Sequence, residues 1–212
     1  IYLSYDEPKK EEFWVKIQNM VPWAKRVDGV EGSDAAHKAA ASASETERFI
    51  LIDGDNMPNS EFFDITLNIK PEFQNSVFRW KAINNVNGLM YGNGGISCWT
   101  RKFVNNMTTH ENSNGQDENE VEFCYDPNYL AMNNVYSTTY PNGDALHSWR
   151  AGFREGVKMC LQKGTKPTLI EFNNMVHKSN FDRLSIWHNI GMDAEYGDCL
   201  LYTSDAADEH RR

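Results

Sequence analysis

The sequence contains no apolar run that approaches the roughly 20 residues a helix needs to cross a bilayer. No secretory leader precedes the first strand-like segment, so we expect a cytoplasmic protein without a membrane partner. Basic residues are in the minority, and the formal net charge of −9 disfavours a protein coated in nucleic acid. Cysteine is sparse, and its scattered positions form no CxxC pair, which disfavours a zinc site or a disulfide framework. The cysteines are Cys98, Cys124, Cys160 and Cys199.

Both ends of the sequence are unusual. The first residue is Ile1 rather than methionine, and a strand-like run starts there, so we expect a natural start that has been trimmed. Residues 199–212 read CLLYTSDAADEHRR, and the CLLYTSDAADE portion resembles a translated transposase sequencing adapter. We interpret these residues as a non-native tail, with a natural disordered tail as the alternative, and exclude them from the fold prediction. The remaining residues, 1–198, fit one domain with a substantial core.

Strand-like and helix-like segments alternate over the first part of the chain. Apolar residues recur at helical spacing over 13–21 and predict a helix that Pro22 ends. A second helix is predicted after Ser33, which can cap it, and its alanines form a face suited to close packing on a sheet. The resulting β-α-β-α-β order predicts an α/β, Rossmann-like fold with a mostly parallel central sheet and flanking helices. The three predicted strands lie at residues 1–5, 24–27 and 48–52.

The alternation stops after residue 56. The late helix has the clearest pattern, because Trp149, Phe153, Val157 and Leu161 recur on one face and Gly164 lies beyond its end. The other segments have weaker patterns. They are predicted strands at 62–67 and 76–82, a loop or tight turn at 84–95, a helix at 99–107, a polar, mobile loop at 108–120, and the late helix itself at 145–161.

Two carboxylates follow the third predicted strand. Asp53 and Asp55 are separated by Gly54, which permits a turn tight enough to put both carboxylates on one face. Ligands of an open α/β sheet bind at the carboxyl ends of its strands, and polar residues also follow the other two strands, at 5–6 and at 28. Carboxylate oxygens suit magnesium or manganese, which bridge to phosphate oxygens and neutralise a leaving diphosphate. Without such a function the two carboxylates would repel each other at a cost in stability.

Several short segments carry a resemblance to a known family. They read SYDEP at 4–8, AKRVDGVEG at 24–32, AHKAA at 36–40, ILIDGDN at 50–56 and YGNGGISCW at 91–99. These segments resemble the nucleotide-binding half of glycosyltransferases with the GT-A fold, in particular the family-2-like enzymes of tailed phages of aquatic bacteria. The resemblance implies a nucleotide-sugar-binding half at residues 1–100, an acceptor half at 101–198, and the host cytoplasm as the location of a phage-encoded enzyme.

The resemblance implies a nucleotide site, and we expect a UDP-linked sugar as the donor. Tyr5 would stack on the base, Asp28 would accept a hydrogen bond from N3-H of uracil, and Lys38 would reach a phosphate or the base. The alternatives are a plain strand-to-turn residue for Asp28 and a solvated helix residue for Lys38. The implied nucleotide contacts are Tyr5, Asp6, Asp28, Lys38 and Asp53.

The resemblance also implies a metal site and a donor-sugar site. Asp55 would be the main ligand of Mn²⁺ or Mg²⁺, and Asp53 would contact the ribose or the metal. Many members of the family add a histidine from the C-terminal region, for which His188 is the candidate and His147 the second choice. A packed or surface histidine is the competing interpretation. The pair Gly94-Gly95 would line the donor sugar, unless it only forms a turn.

The start of the late helix departs from the family pattern. Inverting members place a Glu-Asp pair there, and one carboxylate takes the proton of the acceptor. This sequence reads GDALHSWR at 143–150, without such a pair. Asp144 is the candidate base and Glu155, further inside the helix, the alternative, although Asp144 also fits the helix N-cap. Inversion and retention of the anomeric configuration both stay open.

The predicted function is metal-dependent transfer of a sugar from a UDP-sugar to a hydroxyl acceptor. Arg150, Arg154 and Lys158 line one helix face, which is either solvated or binds a phosphate-bearing acceptor. The identity of the acceptor stays open, and the two candidates are a hydroxymethylated pyrimidine in phage DNA and a glycan. One alternative is a haloacid-dehalogenase-type phosphatase, which Met57 disfavours because that family has Thr or Val there. The other is an inactive nucleotide-sugar-binding protein.

Overall fold

The structure is a computed structural model that describes residues 1–86, 88, 90–107, 109 and 126–160, without the side chains of 91–94 and 154–160. The predictions for His188, for the tail at 199–212 and for nearly all of the loop at 108–120 lie outside these residues. None of the helices in the described ranges is long and apolar enough to span a membrane.

The described residues form one seven-stranded sheet with helices packed on it, so the predicted α/β, Rossmann-like fold is confirmed. The strand order is β2-β1-β3-β6-β5-β7-β4. The pairs β1–β2, β1–β3 and β5–β7 are parallel, and the pairs β3–β6, β5–β6 and β4–β7 are antiparallel. The strands are β1 (Tyr2–Ser4), β2 (Arg26–Asp28), β3 (Arg48–Asp53), β4 (Asn56–Pro58), β5 (Val77–Asn84), β6 (Met90–Thr100) and β7 (Tyr129–Thr139).

Two hydrophobic clusters form the core, one on each face of the sheet. Successive side chains of β3 point to opposite faces of the sheet, so Ile52 belongs to one cluster and Leu51 to the other. Helix α1 (Lys10–Met20) buries Phe13 and Ile17 in the first cluster, together with Tyr2 and Trp80. Helix α2 (Ser33–Ala43) packs its small alanines on the second cluster, which contains Trp99. The remaining helices are α3 (Arg101–Asn106) and α4 (Ala145–Cys160).

Several predicted boundaries are wrong for identifiable reasons. Residues 62–67 do not form a strand. Instead Ser60–Asp64 forms a 3-10 turn that buries Phe62 against Trp80, so the apolar spacing arises from packing over the sheet and not from strand pairing. Ser33 does not cap α2, because Gly32 occupies the cap position with φ +89° and no side chain caps the helix.

The glycine-rich segment at 84–95 is a turn only in its first part. From Met90 onward it belongs to β6, which lies between β3 and β5. Residues 99 and 100 also belong to β6, and Thr100 caps α3 by accepting a hydrogen bond from the Phe103 amide at 3.0 Å. Strands β4 and β7 were not predicted. They pair with each other, so β4, at residues 56–58, lies next to β7 in the sheet.

Gly95 combines a left-handed backbone with a close neighbouring side chain. Its φ is +68°, and a Cβ added there would lie 2.8 Å from Nδ2 of the buried Asn56 side chain. Gly29 has a similar φ of +71° but open space around it. Both positions therefore require a left-handed backbone, and only Gly95 also requires the absence of a side chain.

We expect Gly95→Ala to destabilise the protein more than Gly29→Ala. The left-handed backbone costs a non-glycine residue roughly 1–2 kcal/mol at either position. The contact with Asn56 adds overpacking of about 1–3 kcal/mol at Gly95 alone. Urea unfolding of the two variants and the wild type measures the difference. Equal losses of unfolding free energy would contradict the close approach of β6 to Asn56.

Candidate functional site

The carboxyl ends of three parallel strands lie side by side at one edge of the sheet. In the register of these strands, Ser4 of β1 pairs with Asp28 of β2, and Leu3 pairs with Asp53 of β3. The polar residues that follow the strands are therefore neighbours, as the β-α-β-α-β order predicted. This edge brings together the segments that begin at Tyr5, Asp28 and Asp53.

Asp28 is held by three surrounding groups. Its Oδ1 accepts hydrogen bonds from the Ser4 hydroxyl at 2.6 Å and from Nζ of Lys10 at 3.0 Å, and it lies 3.1 Å from the Arg26 guanidinium. Burial raises the pKa of Asp28, but these hydrogen bonds and the nearby positive charges outweigh it and lower the pKa overall. Asp28 is therefore an oriented anion at neutral pH. Its Oδ2, contacted by Lys10 at 3.2 Å, has capacity for a further donor.

Glu7 occupies the space directly over the Asp53-Gly54-Asp55 turn. A Cβ added to Gly54 would lie 2.4 Å from the carboxyl carbon of Glu7, so only glycine leaves room for this carboxylate. The same carboxylate accepts a hydrogen bond from the Tyr5 amide at 2.8 Å. Burial and the charges of Asp55 and Asp6 raise the pKa of Glu7, although two backbone hydrogen bonds oppose the shift. Glu7 thus connects the segment after β1 to the turn after β3.

The backbone of the turn is fixed from two further directions. The buried Tyr2 hydroxyl donates a hydrogen bond to the Gly54 carbonyl oxygen at 2.8 Å. The Tyr140 amide, just after β7, donates to the Asp55 carbonyl oxygen at 2.8 Å. Burial and the neighbouring Glu7 charge raise the pKa of Tyr2, so its hydroxyl keeps its proton and stays a donor. The turn that carries the two aspartates is therefore held by β1 and β7.

The two aspartates differ in exposure, since the side chain of Asp53 is exposed and that of Asp55 is half-buried. No group of three or more His, Cys, Asp or Glu side chains in the described residues has the geometry of a metal site. Magnesium and manganese do not need such a group in nucleotide sites, because one or two carboxylates, phosphate oxygens and water complete the shell. The charge of Asp55 contributes to the raised pKa of Glu7, so the two carboxylates lie near each other. Asp53 and Asp55 are the residues at this turn that could hold such a cation.

The predicted donor-sugar glycines lie beside the same turn. Gly95 precedes Ile96, which pairs with Ile52 of β3, and it packs closely on Asn56. Gly94 adjoins it in β6, where the backbone belongs to the strand. The structure therefore brings this segment to the aspartate turn, although it is a strand and not the predicted turn.

The N-terminus of α4 reaches the segment after β1 from the other side. Pro8 packs on Gly143, and a Cβ added to Gly143 would lie 2.9 Å from Cδ of Pro8. Nε2 of His147 lies 3.3 Å from Oδ1 of Asp6, and Nη1 of Arg150 lies 3.3 Å from Oδ2 of the same carboxylate. The predicted nucleotide residue Asp6 thus contacts the first turns of α4.

Asp144 is the N-cap of α4, which was one of its two predicted roles. Its Oδ1 accepts a hydrogen bond from the His147 amide at 2.8 Å and lies 2.8 Å from Nδ1 of the His147 ring. The backbone and ring hydrogen bonds to His147 lower the pKa of Asp144. Burial lowers the pKa of His147, but hydrogen bonds and charge from Asp144 and Asp6 outweigh it and raise the pKa overall. Both ring nitrogens of His147 therefore face carboxylates, an arrangement that favours hydrogen bonding over metal ligation.

The other predicted site residues are placed as follows. Tyr5 is 46% exposed at the strand edge, so its ring is open to a stacking partner. Lys38 is exposed in the middle of α2. Glu155 belongs to α4, but its side chain is outside the described part of the structure, as is the whole of His188.

Sequence analysis missed Glu7 as a site residue and assigned His147 only as a second-choice metal ligand. The SYDEP segment contained Glu7 and pointed to a turn, but no local pattern shows that a carboxylate lies over Gly54. His147 and Asp6 are 141 positions apart, so their contact has no local signal at all.

Solved structures that resemble parts of this chain include the following two. One is an inositol-1-phosphate CTP transferase from T. maritima, with 10% identity and a TM-score of 0.37 over 66% of this chain and 68% of that one. The other is HddC from Yersinia pseudotuberculosis, with 16% identity and a TM-score of 0.32 over 66% of this chain and 70% of that one. These values describe a loose likeness and assign neither an activity nor a substrate. No family model and no curated protein matches the chain.

The contact between Glu7 and Gly54 predicts a coupling between substitutions. Gly54→Ala should cost about 1–3 kcal/mol of unfolding free energy, because the new methyl group displaces the Glu7 carboxylate. In a Glu7→Ala background the same change should cost less, with an interaction energy of about 0.5–3 kcal/mol. Urea unfolding of the wild type, both single variants and the double variant completes the cycle.

Glu12→Ala provides the matched background for this cycle, since Glu12 pairs with Lys16 on the exposed side of α1. There Gly54→Ala should keep its full cost. A full cost in the Glu7→Ala background as well would show that Glu7 does not determine the requirement for glycine.

Proposed function

We propose that the protein is a metal-dependent glycosyltransferase that uses a nucleotide-sugar donor, with UDP as the expected nucleotide. The observation that supports the proposal is the Asp53-Gly54-Asp55 turn at the carboxyl ends of parallel strands, next to the exposed Tyr5 ring and the oriented Asp28 carboxylate. This edge is where open α/β sheets bind ligands, and its groups match the base, ribose and diphosphate of one nucleotide. We also propose that the fold is of the GT-A type.

The metal-binding part of the proposal assigns Asp55 as the main ligand and Asp53 as a contact to the metal or the ribose. A bound Mn²⁺ or Mg²⁺ would supply Lewis-acid stabilisation of the departing diphosphate. Two carboxylates on a turn that β1 and β7 hold in place offer a fixed anchor for such a cation. His188 remains a predicted further ligand.

The nucleotide-binding part assigns the chain's own residues to the remaining groups of the donor. The exposed ring of Tyr5 provides a stacking surface for the base, and Asp28 accepts from the ring N–H of uracil through Oδ2. Gly94 and Gly95 of β6 are assigned as the backbone that the donor sugar contacts, with Gly95 held against Asn56. Lys38 would reach the phosphate or the base from α2.

The acceptor part of the proposal follows from the start of α4. Arg150 pairs with Asp6, so this member of the predicted basic face is directed toward the site. A glycan hydroxyl and a hydroxymethylated pyrimidine in DNA are the two acceptors to compare. Transfer to DNA should weaken steeply with salt, because each neutralised phosphate releases counterions. Transfer to a neutral glycan should not.

We expect manganese and UDP together to raise the melting temperature far more than either alone. A ligand at about 100 times its Kd adds roughly 2.7 kcal/mol to the stability of the native state. Asp55→Asn should abolish the synergy, because it removes the charge that binds the cation. Glu45→Gln is the matched control, since this exposed acid pairs with Lys25 before β3, at the opposite edge of the sheet.

Thermal-shift titrations of the three proteins measure this synergy, and equal stabilisation of wild type and Asp55→Asn would contradict the metal assignment. Turnover separates the related chemistries, because glycosyl transfer from a UDP-sugar releases UDP. Release of inorganic phosphate from a phosphomonoester would indicate a phosphatase instead. Binding without any turnover would indicate a nucleotide-sugar-binding protein.

The proposed role of Asp28 predicts a preference for UDP over CDP. The cytosine N3 is an acceptor, so placing it against the Asp28 carboxylate loses a hydrogen bond worth about 0.5–1.5 kcal/mol. Asp28→Asn should narrow the preference, because an amide can donate to the cytosine N3. Calorimetry with UDP and CDP in the presence of manganese checks this, and equal affinities in the wild type would remove Asp28 from the site.

A further inference from the structure

His147 lies between two carboxylates that come from opposite ends of the chain. Nδ1 lies 2.8 Å from Oδ1 of Asp144, and Nε2 lies 3.3 Å from Oδ1 of Asp6. The side chain is 19% exposed, so it is held in place and still accessible. The two distances are unequal, which gives the two nitrogens different roles.

The Asp144 side of the ring is fixed. Asp144 Oδ1 already accepts the His147 backbone N–H at 2.8 Å, so the carboxylate cannot turn away from the ring without giving up the helix cap. A carboxylate is an acceptor, and Nδ1 must therefore carry a proton to donate to it. In the neutral imidazole the lone pair then lies on Nε2, on the side that faces the segment after β1.

The Asp6 side of the ring is adjustable. The contact is long for a hydrogen bond, and Asp6 has a second partner, because Nη1 of Arg150 lies 3.3 Å from its other oxygen. Arg150 can hold Asp6 when His147 is neutral, which leaves Nε2 open to a hydroxyl donor. Among the residues that the structure describes, the charged groups that face His147 are thus Asp144 at its own helix N-terminus and Asp6, paired with Arg150, on the segment after β1.

We propose that His147 is the group that accepts the proton of the attacking hydroxyl, with Asp144 as its positioning residue. The assignment rests on the proposed glycosyl transfer and names the base for it. The hydroxyl oxygen forms a bond to the anomeric carbon of the donor while its proton passes to Nε2 of His147. The bond from the anomeric carbon to the phosphate oxygen breaks, and UDP leaves with the electron pair. The proton later passes from Nε2 to solvent.

The arrangement accounts for the absence of a Glu-Asp pair at this position. Asp144 is occupied as the helix cap and the partner of Nδ1, so the base is one turn further along, at His147. Asp144 and Asp6 raise the pKa of His147 above its usual value of 6.5. A base whose pKa lies close to the working pH gives efficient proton transfer. Turnover should therefore increase with pH through the pKa of His147 and then level off.

The test measures the release of UDP from a panel of UDP-hexoses with manganese, with water as the acceptor, between pH 5 and 9. General-base catalysis contributes about 100-fold to 10,000-fold, so His147→Gln should lower kcat by about 100-fold or more and flatten the pH profile. The KM for the donor should change by less than about threefold, because the base does not bind it. Asp144→Asn keeps a good helix cap, and it should shift the profile to lower pH.

His37→Gln is the control, since the His37 ring contacts the Ser33 carbonyl oxygen within α2 and has no part in the proposed proton transfer. It should keep both the rate and the pH profile of the wild type. Melting temperatures of all variants separate a loss of chemistry from a loss of fold. If His147→Gln keeps a pH-dependent wild-type rate, His147 is not the base, although the glycosyltransferase proposal stands.

A second measurement does not depend on turnover. Nitrogen-15 NMR of the imidazole groups in the wild-type protein identifies the neutral tautomer of His147. A proton on Nδ1 is expected, and a proton on Nε2 would overturn the assignment whatever the substrate. A wild-type protein that neither binds UDP with manganese nor releases UDP would instead contradict the proposed function, and the role of His147 with it.

Discussion

The parallel register of β2, β1 and β3 is the constraint on which the candidate site depends. Because Ser4 pairs with Asp28 and Leu3 pairs with Asp53, three chain segments leave the sheet at the same edge. A shift of one residue would turn every side chain of a strand to the other face. Tyr2 would then leave the core and could no longer reach the Gly54 carbonyl oxygen. The register that buries the hydrophobic residues of these short strands is therefore the same register that the geometry of the site requires.

The edge that results concentrates negative charge. Asp6, Glu7, Asp53 and Asp55 lie on two adjacent segments, and the raised pKa of Glu7 is a direct consequence of burial and of two of these neighbours. Such an arrangement is unfavourable in isolation, because like charges in a partly buried site repel one another. Under the proposed function, a divalent cation and the groups it carries remove this cost. Natural proteins place this kind of local conflict at functional sites.

The elements that the sequence analysis predicted correctly are those with a local pattern. β1, β3, α1, α2 and α4 follow the periodicity of their apolar or small residues, and the aspartates could be located because they directly follow strands. β4 is too short for a pattern and ends in Pro58, a residue that is rare inside sheets. Glycine and asparagine made the start of β6 look like a loop, although its glycine serves close packing on Asn56. Contacts such as His147 with Asp6 depend on tertiary structure, which no short segment encodes.

The contact between α4 and the segment after β1 joins residues that are far apart in the sequence, and this separation determines when the site can assemble. Arg150 and Asp6 are 144 positions apart, so their pairing closes a very long loop. The entropy of closing a loop increases with its length, and contacts distant in sequence form slowly. During synthesis on the ribosome, β1, β2 and β3 are complete long before α4 leaves the exit tunnel, and domains fold as their segments emerge. The edge formed by β2, β1 and β3 can therefore form early, whereas the cluster around His147 must form late in folding.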